Sequence, residues 1–521
     1  MNLYNRLRIV VLPFSILLCS SMQAQNETFT MTQIGANNLL SVPWDLNYGP
    51  DNYLWVTEKV AGKVVRINPT TGQRDDLIQI PGVYSSGQDG LLGMAFDEGF
   101  LTGSPYVYLS YTVGTSVFNE KQRLVRYTYS ANGNDGSLTS PVILIDNLPA
   151  YYDHQSGRLL FGPDKKIYYT IGDQANKVCN TNLAQFLPTQ QQIDAKNWAN
   201  YPGKMLRLNT DGTIPSDNPI INGVQSHIYT YGHRNPQGLV FGTNGILYSD
   251  EQGPSSDDEI NIMNAGKNYG WPFVAGFKDN LQYDNDGCLA GNETSFTAPN
   301  YQDPIMSMFV SNTYKDPACI DTWMCRPNIA PSSIAIYESN AIPAWKNSLL
   351  VTSLKKGRVY RLKLSADGTA VDQNDVTQYF YTQNRYRDIV VSPDGKSIYI
   401  ITDSSGKSSD ASGMTTVSAM LNPGAILKFT LNESLSTNQE TETFFRTWPN
   451  PVSNTLYIEL KDLMEKGLKA QLINSLGQVV TEFKDLKSGV NELKINNFPT
   501  GVYILKLNSK GHSWQKSIIL N

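Results

Sequence analysis

The run Asp153-His154-Gln155-Ser156-Gly157-Arg158 is the densest grouping of reactive residue types in the chain, and Ile171-Gly172-Asp173-Gln174 follows it one hairpin later. Imidazole titrates near neutrality and a neighbouring carboxylate fixes its tautomer, so a His154–Asp173 pair is the arrangement a general base requires. A hairpin brings such residues together readily, yet spacing alone supports a structural histidine at least as well. A second group, Tyr231-Gly232-His233-Arg234-Asn235-Pro236-Gln237-Gly238, sets Arg234 and Asn235 side by side in a turn rich in Gly and Pro. There they can present fixed donors to a carbonyl or carboxylate. The competing reading is a turn whose Asn and Gly satisfy backbone groups while the Arg is solvated.

A third group runs Glu251-Gln252-Gly253-Pro254-Ser255-Ser256-Asp257-Asp258-Glu259 and leads to Asn268-Tyr269-Gly270-Trp271-Pro272. A tight turn offering main-chain carbonyls beside carboxylates suits a hard cation such as Ca²⁺, which takes about six to eight oxygen ligands. The spacing is not that of an EF-hand, and for any one carboxylate an acidic, solvated loop is the better-supported reading. The fourth group is Leu354-Lys355-Lys356-Gly357 with Asn384-Arg385-Tyr386-Arg387-Asp388. In a strand the side chains of Arg385 and Arg387 fall on one side. Two guanidiniums and an ammonium converging on one face suit a ligand with several carboxylates, and ordinary salt bridging is the alternative.

The elements that must position these groups are β-strands. A turn of Gly or Ser, Pro and Asp precedes a short β-prone run at Gly49-Pro50-Asp51, Gly162-Pro163-Asp164 and Ser392-Pro393-Asp394, with a degenerate copy at Gly242 to Tyr248. Pro presets such a turn, Asp caps it, and the following run reads as a strand. Strands carrying a basic residue between apolar ones also recur, around Arg66, Arg207 and Arg361; simple decoration of exposed strand faces accounts for most of them. Repetition over most of the chain points to radially stacked blades, a β-propeller, with a sandwich array as the alternative. The pattern fades after Ile426 to Leu431. A polar linker over 432–443 leads to further strand-like runs at Leu456 to Leu460, Ala470 to Ile473, Val502 to Leu507 and Ser517 to Leu520, with a turn at Ser475-Leu476-Gly477. These predict a small β-sandwich over 444–521. The expected fold is thus all-β: a propeller over 28–431, then the sandwich.

Bulk composition narrows the function classes. Acidic and basic residues nearly cancel, 47 against 42, so no broad field favours nucleic acid or anionic lipid. Arg6 and Arg8 precede an apolar stretch from Ile9 to Cys19 that ends in small or polar residues, so 1–24 reads as an export signal. No later stretch approaches the roughly 20 apolar residues of a membrane span. In an oxidising compartment Cys319 and Cys325 are the best disulfide candidates among Cys179, Cys288, Cys319 and Cys325.

Two resemblances sharpen this reading. Trp448-Pro449-Asn450-Pro451, Asn474-Ser475-Leu476-Gly477-Gln478, Pro499-Thr500-Gly501-Val502-Tyr503 and the terminal Lys516 to Leu520 resemble the type A sorting domain of the bacterial type IX secretion system. That implies export through the periplasm to the exterior or cell surface, with the secretion machinery as a partner. The four groups together resemble the soluble glucose dehydrogenases that depend on pyrroloquinoline quinone (PQQ), within the wider glucose/sorbosone dehydrogenase family, over nearly all of Ile34 to Leu431.

The second resemblance implies a six-bladed propeller with PQQ at its top face, an aldose sugar as substrate and an external electron acceptor. It leaves homodimerisation open. It casts His154 as the base for the anomeric hydroxyl, oriented by Asp173, with Arg234 stabilising charge on the quinone oxygen and Asn235 binding beside it. Lys355, Arg385 and Arg387 match holders of the PQQ carboxylates. Gly253 and Pro254 match carbonyl ligands of the Ca²⁺ that bridges to PQQ, while Glu259, Tyr269, Ala275, Phe277 and Asp279 match structural calcium positions, Phe277 through its carbonyl. Gln88 and Asp153 match sugar contacts. Departures fall near the cysteines, where the family's aromatic sugar platform and PQQ-contacting threonine become Trp323, Arg326 and Asn328, and at Val178, where the family has an amide. Arg326 replaces ring stacking by charge and hydrogen bonding. A propeller that only binds a partner, and a calcium-dependent propeller lactonase, are the rival readings. The first predicts loss of the His/Asp/Arg set, which is present, and the second has no need of the cationic residues.

Overall fold

Six four-stranded antiparallel sheets follow one another along the chain. The computed structural model describes residues 27–521 apart from 133–134, 177–180, 282–292, 310–322, 325, 412, 414, 433–444, 461–467, 475–477, 496–497 and 510–511. Blade 1 consists of Pro43–Tyr48, Leu54–Glu58, Lys63–Ile67 and Arg74–Gln79, and blade 2 of Leu91–Phe96, Tyr106–Val113, Lys121–Asn132 and Asp135–Pro149. Blade 3 holds Ser156–Phe161, Ile167–Ile171, Lys204–Leu208 and Ile228–Tyr231, and blade 4 holds Pro236–Phe241, Leu247–Glu251, Glu259–Ile262 and Met306–Ser307. Blade 5 comprises Pro331–Tyr337, Ser348–Ser353, Val359–Leu364 and Val371–Tyr379. Blade 6 takes Tyr386–Val391, Ser397–Thr402 and Ile426–Leu431, and its outer strand is Phe29–Ile34 from the other end of the domain. Phe29 pairs with Leu431 and Ile34 with Ile426, so the ring is closed by backbone hydrogen bonds. The first strands of the blades touch in order, and that of blade 6 meets that of blade 1. This is the expected six-bladed propeller.

Each sheet is covered on both faces by its neighbours, which is why strands such as Leu54–Glu58, Ile167–Ile171 and Ser348–Ser353 are buried throughout rather than alternately. Between blades 2 and 3 the filling is Tyr108, Leu124, Tyr169 and Leu206, and between blades 5 and 6 it is Tyr337, Trp345, Ile398 and Phe429. The Gly-Pro-Asp turns join the first and second strands. In blade 1 Gly49 N–H bonds to the Tyr53 carbonyl, and Asp51 accepts from Tyr53 N and from Trp55 Nε1 at 2.8 Å.

The recurring basic residues do not decorate exposed faces, as the sequence suggested. Arg66, Arg207 and Arg361 are buried, because each meets carboxylates of its own blade: Asp51 and Asp75, Asp164 and Asp217, and Asp375 respectively.

Every first strand carries a register shift near its start, between Pro43 and Leu46, Leu91 and Met94, Ser156 and Leu159, Pro236 and Gly238, Pro331 and Ser333, and Tyr386 and Asp388. A bulge re-aims side chains at the end of a strand. The residues it frees include Trp44, Arg158, Gln237 and Arg387.

Residues 432–521 form a separate compact unit. One sheet contains Phe445–Trp448, Thr455–Leu460 and Gly489–Lys494; the other contains Val479–Phe483, Lys469–Ile473, Gly501–Ser509 and His512–Leu520. Thr455–Leu460 alternates half-buried and buried, and its inward residues join Phe445, Leu472, Leu505 and Ile518 in one core. This is the expected β-sandwich, although the turn at 475–477 lies outside the described residues. Among the described residues no helix is long and apolar enough to cross a membrane.

Candidate active site

Residues singled out by their chemistry occupy one end of the ring. Most lie just before a blade's first strand or just after its second, positions that antiparallel pairing puts at the same edge, and Arg387 lies in the bulge at the start of its strand. His154 precedes and Asp173 follows the first hairpin of blade 3; Arg234 and Asn235 precede, and Gln252 and Gly253 follow, that of blade 4. Asn328 precedes and Lys355 follows the hairpin of blade 5, while Arg385 precedes and Asp403 follows that of blade 6.

His154 is nearly buried and its Nδ1 stands 2.7 Å from Asp173 Oδ1. Gly172 makes that approach possible, since a Cβ there would lie 1.8 Å from the His154 carbonyl oxygen. Asp173 Oδ2 accepts from Asn182 Nδ2 at 2.9 Å and Trp271 Nε1 at 2.7 Å. Burial pushes the Asp173 carboxyl up, but the bond to His154, the charges of His154 and Arg234 and the Asn182 amide outweigh it, so its pKa falls below the ordinary value. The carboxylate is therefore ionised and accepts the Nδ1 proton, which leaves Nε2 as the free basic nitrogen.

Hydrogen bonds carry this dyad into blade 4. Asp173 N donates to the Arg234 carbonyl at 2.8 Å, and Arg234 Nη1 donates to the Gln252 carbonyl at 2.9 Å. Arg234 Nε is buried and has no hydrogen-bond partner among the described residues, and its guanidinium lies 5.4 Å from the Trp271 ring centroid. Asn235 is fully buried; its Oδ1 accepts from Ser156 and Gln237, and its Nδ2 donates to Gln252. Beneath both, Glu251 accepts the backbone N–H groups of Arg234 and Asn235 and the Nδ1 of His233. Gln88 donates to Asp153 at 2.5 Å, and Asp153 accepts the His154 N–H.

A cleft of about 190 Å³ adjoins these groups, lined by Gln88, Ser156, Gln237, Gln252 and Trp323 together with Lys59, Arg385 and Arg387. Arg385 and Arg387 both bind Asp403, so they do point to one side, Arg387 from a bulge. Burial pushes Asp403 up, yet the two guanidiniums outweigh it and hold its pKa low. Burial lowers the pKa of Arg385. Lys355 is buried, and its ammonium donates to the carbonyls of Arg326 and Asn328 and to Asn328 Oδ1. It lies 5.7 Å from the Trp323 ring centroid. No carboxylate is among the lining residues, while three cations are. With the orphaned Arg234 Nε, this donor set fits a planar ligand that carries several carboxylates.

The acidic run is not a solvated loop. Asp257, Asp258 and Glu259 are all buried, because the turn folds back on itself: Asp258 accepts Gly253 N, Ile329 N and Ala330 N, so it ties the turn to the start of blade 5. Burial raises Asp257 and Asp258 to about 7 and Glu259 well above its ordinary value, with the Glu251 charge adding to the last. Glu259 accepts Gly276 N and Asn261 Nδ2, and Ala275 N donates to Glu293, a buried carboxylate that spacing did not single out. The Tyr269 hydroxyl is committed to the Ile262 carbonyl and Asn264 N, the Phe277 carbonyl accepts Asp279 N, and Asp279 is exposed. Among the described residues no three His, Cys, Asp or Glu side chains form a metal-holding group by themselves. Any cation here would therefore draw on main-chain carbonyls, with Glu259 supplying the buried charge; this all-oxygen chemistry fits Ca²⁺.

Sequence reasoning missed Asp403, Asn182, Trp271, Trp44 and Lys59. Trp271 stands in the phrase Asn268 to Pro272 but was given no role there, the others carry no motif of their own, and only the blade repeat could have located Asp403 and Lys59. Val178, Cys179, Cys288, Cys319 and Cys325 lie outside the described residues.

Comparison with known proteins agrees with this geometry. The profile of the glucose/sorbosone dehydrogenases matches residues 40–410, and that of the secretion system C-terminal sorting domain matches 446–521, which indicates export to the exterior or cell surface. The chain is 42% identical over 447 residues to quinoprotein glucose dehydrogenase B of Acinetobacter calcoaceticus, covering 78% of this chain and 92% of that one. It is 28% identical over 395 residues to the aldose sugar dehydrogenase YliI of Escherichia coli, covering 75% and 94%. The PQQ-bound aldose sugar dehydrogenase of Streptomyces coelicolor superposes with a TM-score of 0.55 at 26% identity, over 78% of this chain and 99% of that one. The chain belongs to the glucose/sorbosone dehydrogenase family and carries a secretion sorting domain at its C-terminal end.

Proposed function

We propose that this protein is a quinoprotein aldose dehydrogenase that oxidises a glucose-like sugar at its anomeric carbon to the lactone. Bound PQQ supplies the two-electron acceptor for the hydride of the anomeric carbon, and an external acceptor removes the electrons. His154 Nε2, with Nδ1–H held by Asp173, takes the proton of the anomeric hydroxyl, and Asp173 stabilises the resulting imidazolium. Arg234 directs its unpartnered Nε–H at the oxygen where negative charge develops. Asn235 binds beside it, fixed by Ser156, Gln237 and Gln252. Lys355, Arg385 and Arg387 hold the ligand's carboxylates, and Asn328 adjoins Lys355. Gln88 and Asp153 bond sugar hydroxyls, Trp323 offers a ring face and Arg326 a cation.

Gly253 and Pro254 would hold Ca²⁺ through their carbonyls, and Glu259, Tyr269, Ala275, Phe277 and Asp279 would line further calcium positions. Residues 1–24 serve as the export signal, and the C-terminal unit takes the type IX route after passage through the periplasm.

One observation carries this reading: a base dyad and a cleft lined by cations without a carboxylate meet at the same end of one ring. The test is reconstitution of the full chain with PQQ and Ca²⁺, followed by reduction of an artificial dye across a panel of sugars. Dye reduction with aldoses, abolished when EDTA is present during reconstitution, is expected. Bound PQQ with no dye reduction by any aldose would overturn it.

A further inference from the structure

Lys59 stands immediately after the second strand of blade 1, where Glu58 ends. Gln252 in blade 4 and Asp403 in blade 6 take the same step, and Asp173 in blade 3 and Lys355 in blade 5 stand one residue further on. Four other blades thus place a site residue within two positions of this strand end, and in blade 1 the residue there is a lysine that lines the cleft beside Arg385 and Arg387.

Its environment is that of a cation waiting for an anion. Its ammonium donates to the Gly87 carbonyl, and among the described residues it forms no salt bridge. Arg387 and, more weakly, Arg385 repel it, while Asp403 and Asp89 attract it. Asp403 is already bound by both arginines, and Asp89 is occupied with Ser86 N and Gly87 N. Burial first, then the repulsion from Arg387, lowers the Lys59 pKa to about 8. The charge of an incoming carboxylate would offset both effects by favouring the protonated ammonium. Salt bridging within the protein, the ordinary use of a half-buried lysine, is not made here among the described residues, where Asp403 and Asp89 are bonded elsewhere.

We propose that Lys59 is a further cationic anchor of the cleft, donating to a carboxylate of the anionic quinone from the blade 1 side while Arg385 and Arg387 bind from blade 6. The assignment rests on the quinoprotein reading given above. The contact of Lys59 with the Gly87 carbonyl, next to Gln88, also ties this anchor to the segment offered to the sugar.

Linkage fixes the sign of the pH effect. The free protein has Lys59 partly deprotonated near pH 8, and the bound anion raises its pKa, so binding takes up a proton there. Affinity is then full below pH 8 and falls as pH rises above it.

The test is titration of the full chain, supplied with Ca²⁺, with PQQ, followed by ligand absorbance and by calorimetry in buffers of different ionisation enthalpy. Loss of one charge-assisted hydrogen bond weakens binding about 10- to 100-fold, so Lys59→Met is expected to show that loss at pH 7. Lys59→Arg is expected to restore affinity and to abolish the proton uptake near pH 8 seen with the unaltered protein. If the unaltered protein does not bind PQQ, the quinoprotein reading itself fails. If it binds, and Lys59→Met binds equally tightly, the anchor assignment alone is overturned. Should Lys59→Met fail to fold, proton uptake that is unchanged in Lys59→Arg overturns it just as well.

Discussion

At the scale of single residues, the base depends on a carboxylate that remains ionised while nearly all of its surface is buried. Asp173 manages this because four donors surround it: His154 Nδ1, Asn182 Nδ2, Trp271 Nε1 and the backbone N–H of Ala175. Replacing Asp173 by Asn keeps the shape but removes the charge that fixes the imidazole tautomer and steadies the imidazolium. Turnover with a saturating aldose is expected to fall about 10²- to 10⁴-fold, the usual contribution of a general base, with the thermal midpoint nearly unchanged. Steady-state kinetics of the loaded variant beside its melting curve checks this, and wild-type turnover would contradict it. The dyad was legible in the sequence because its two members cap the same end of one hairpin. Asn182 and Trp271 were not, since Trp271 arrives from 98 positions away and nothing in its spacing announces a bond to Asp173. Lys59 went unread for a similar reason: a single lysine after a strand has no signature until the ring supplies its neighbours.

At the scale of elements, two cues visible in the sequence prove to be one device. The Gly-Pro-Asp turn and the basic residue of the third strand appear as separate repeats, but Arg66 bonds Asp51 and Arg207 bonds Asp164, so the arginine pins the turn of its own blade. Removing Arg66 strands Asp51 and Asp75 in a largely buried setting. Arg66→Ala is therefore expected to lower stability by about 1–3 kcal/mol in denaturant unfolding, with PQQ affinity unchanged because the turn lies at the opposite end of the strands from the cleft. An affinity loss as large as the stability loss would contradict that separation. The strands themselves could be read from β-branched runs and turns. The bulges could not, although they free Arg387 and Gln237 to face the cleft, because a bulge is a relation between two strands rather than a property of one. Burial of Asp257 to Glu259 was likewise hidden: beside the nearby Gly253 and Ser256, donors to them come from Ile329, Ala330, Gly276 and Ser307, which are distant in sequence.

At the scale of the whole molecule, the ring is held by its rim and by its axis. Phe29–Ile34 closes blade 6 from the beginning of the domain, and Arg158 of blade 3 ties the axis together by bonding Asp388 of blade 6, Asp45 of blade 1, and the Gln237 and Ser332 carbonyls of blades 4 and 5. Its guanidinium lies 4.5 Å from the ring centroid of Trp44, which lines the cleft, so the binding surface rests directly on the charged axis. The C-terminal unit keeps its own core, which matches a domain whose task is transport rather than chemistry. Length, strand repeats and the polar stretch before Phe445 made both bodies legible; the union of first and last strands was not, because no local pattern marks Phe29–Ile34 as a partner of Ile426–Leu431. The most direct measurement is a single-turnover mixing experiment, without an external acceptor, in which the full chain loaded with PQQ and Ca²⁺ meets an aldose and the absorbance of the quinone is followed. Rapid reduction in the unaltered protein, with His154→Ala retaining the quinone but reducing it at least about 100-fold more slowly, is the expected result. Equal rates in the two proteins, or a quinone that neither protein retains, would contradict it.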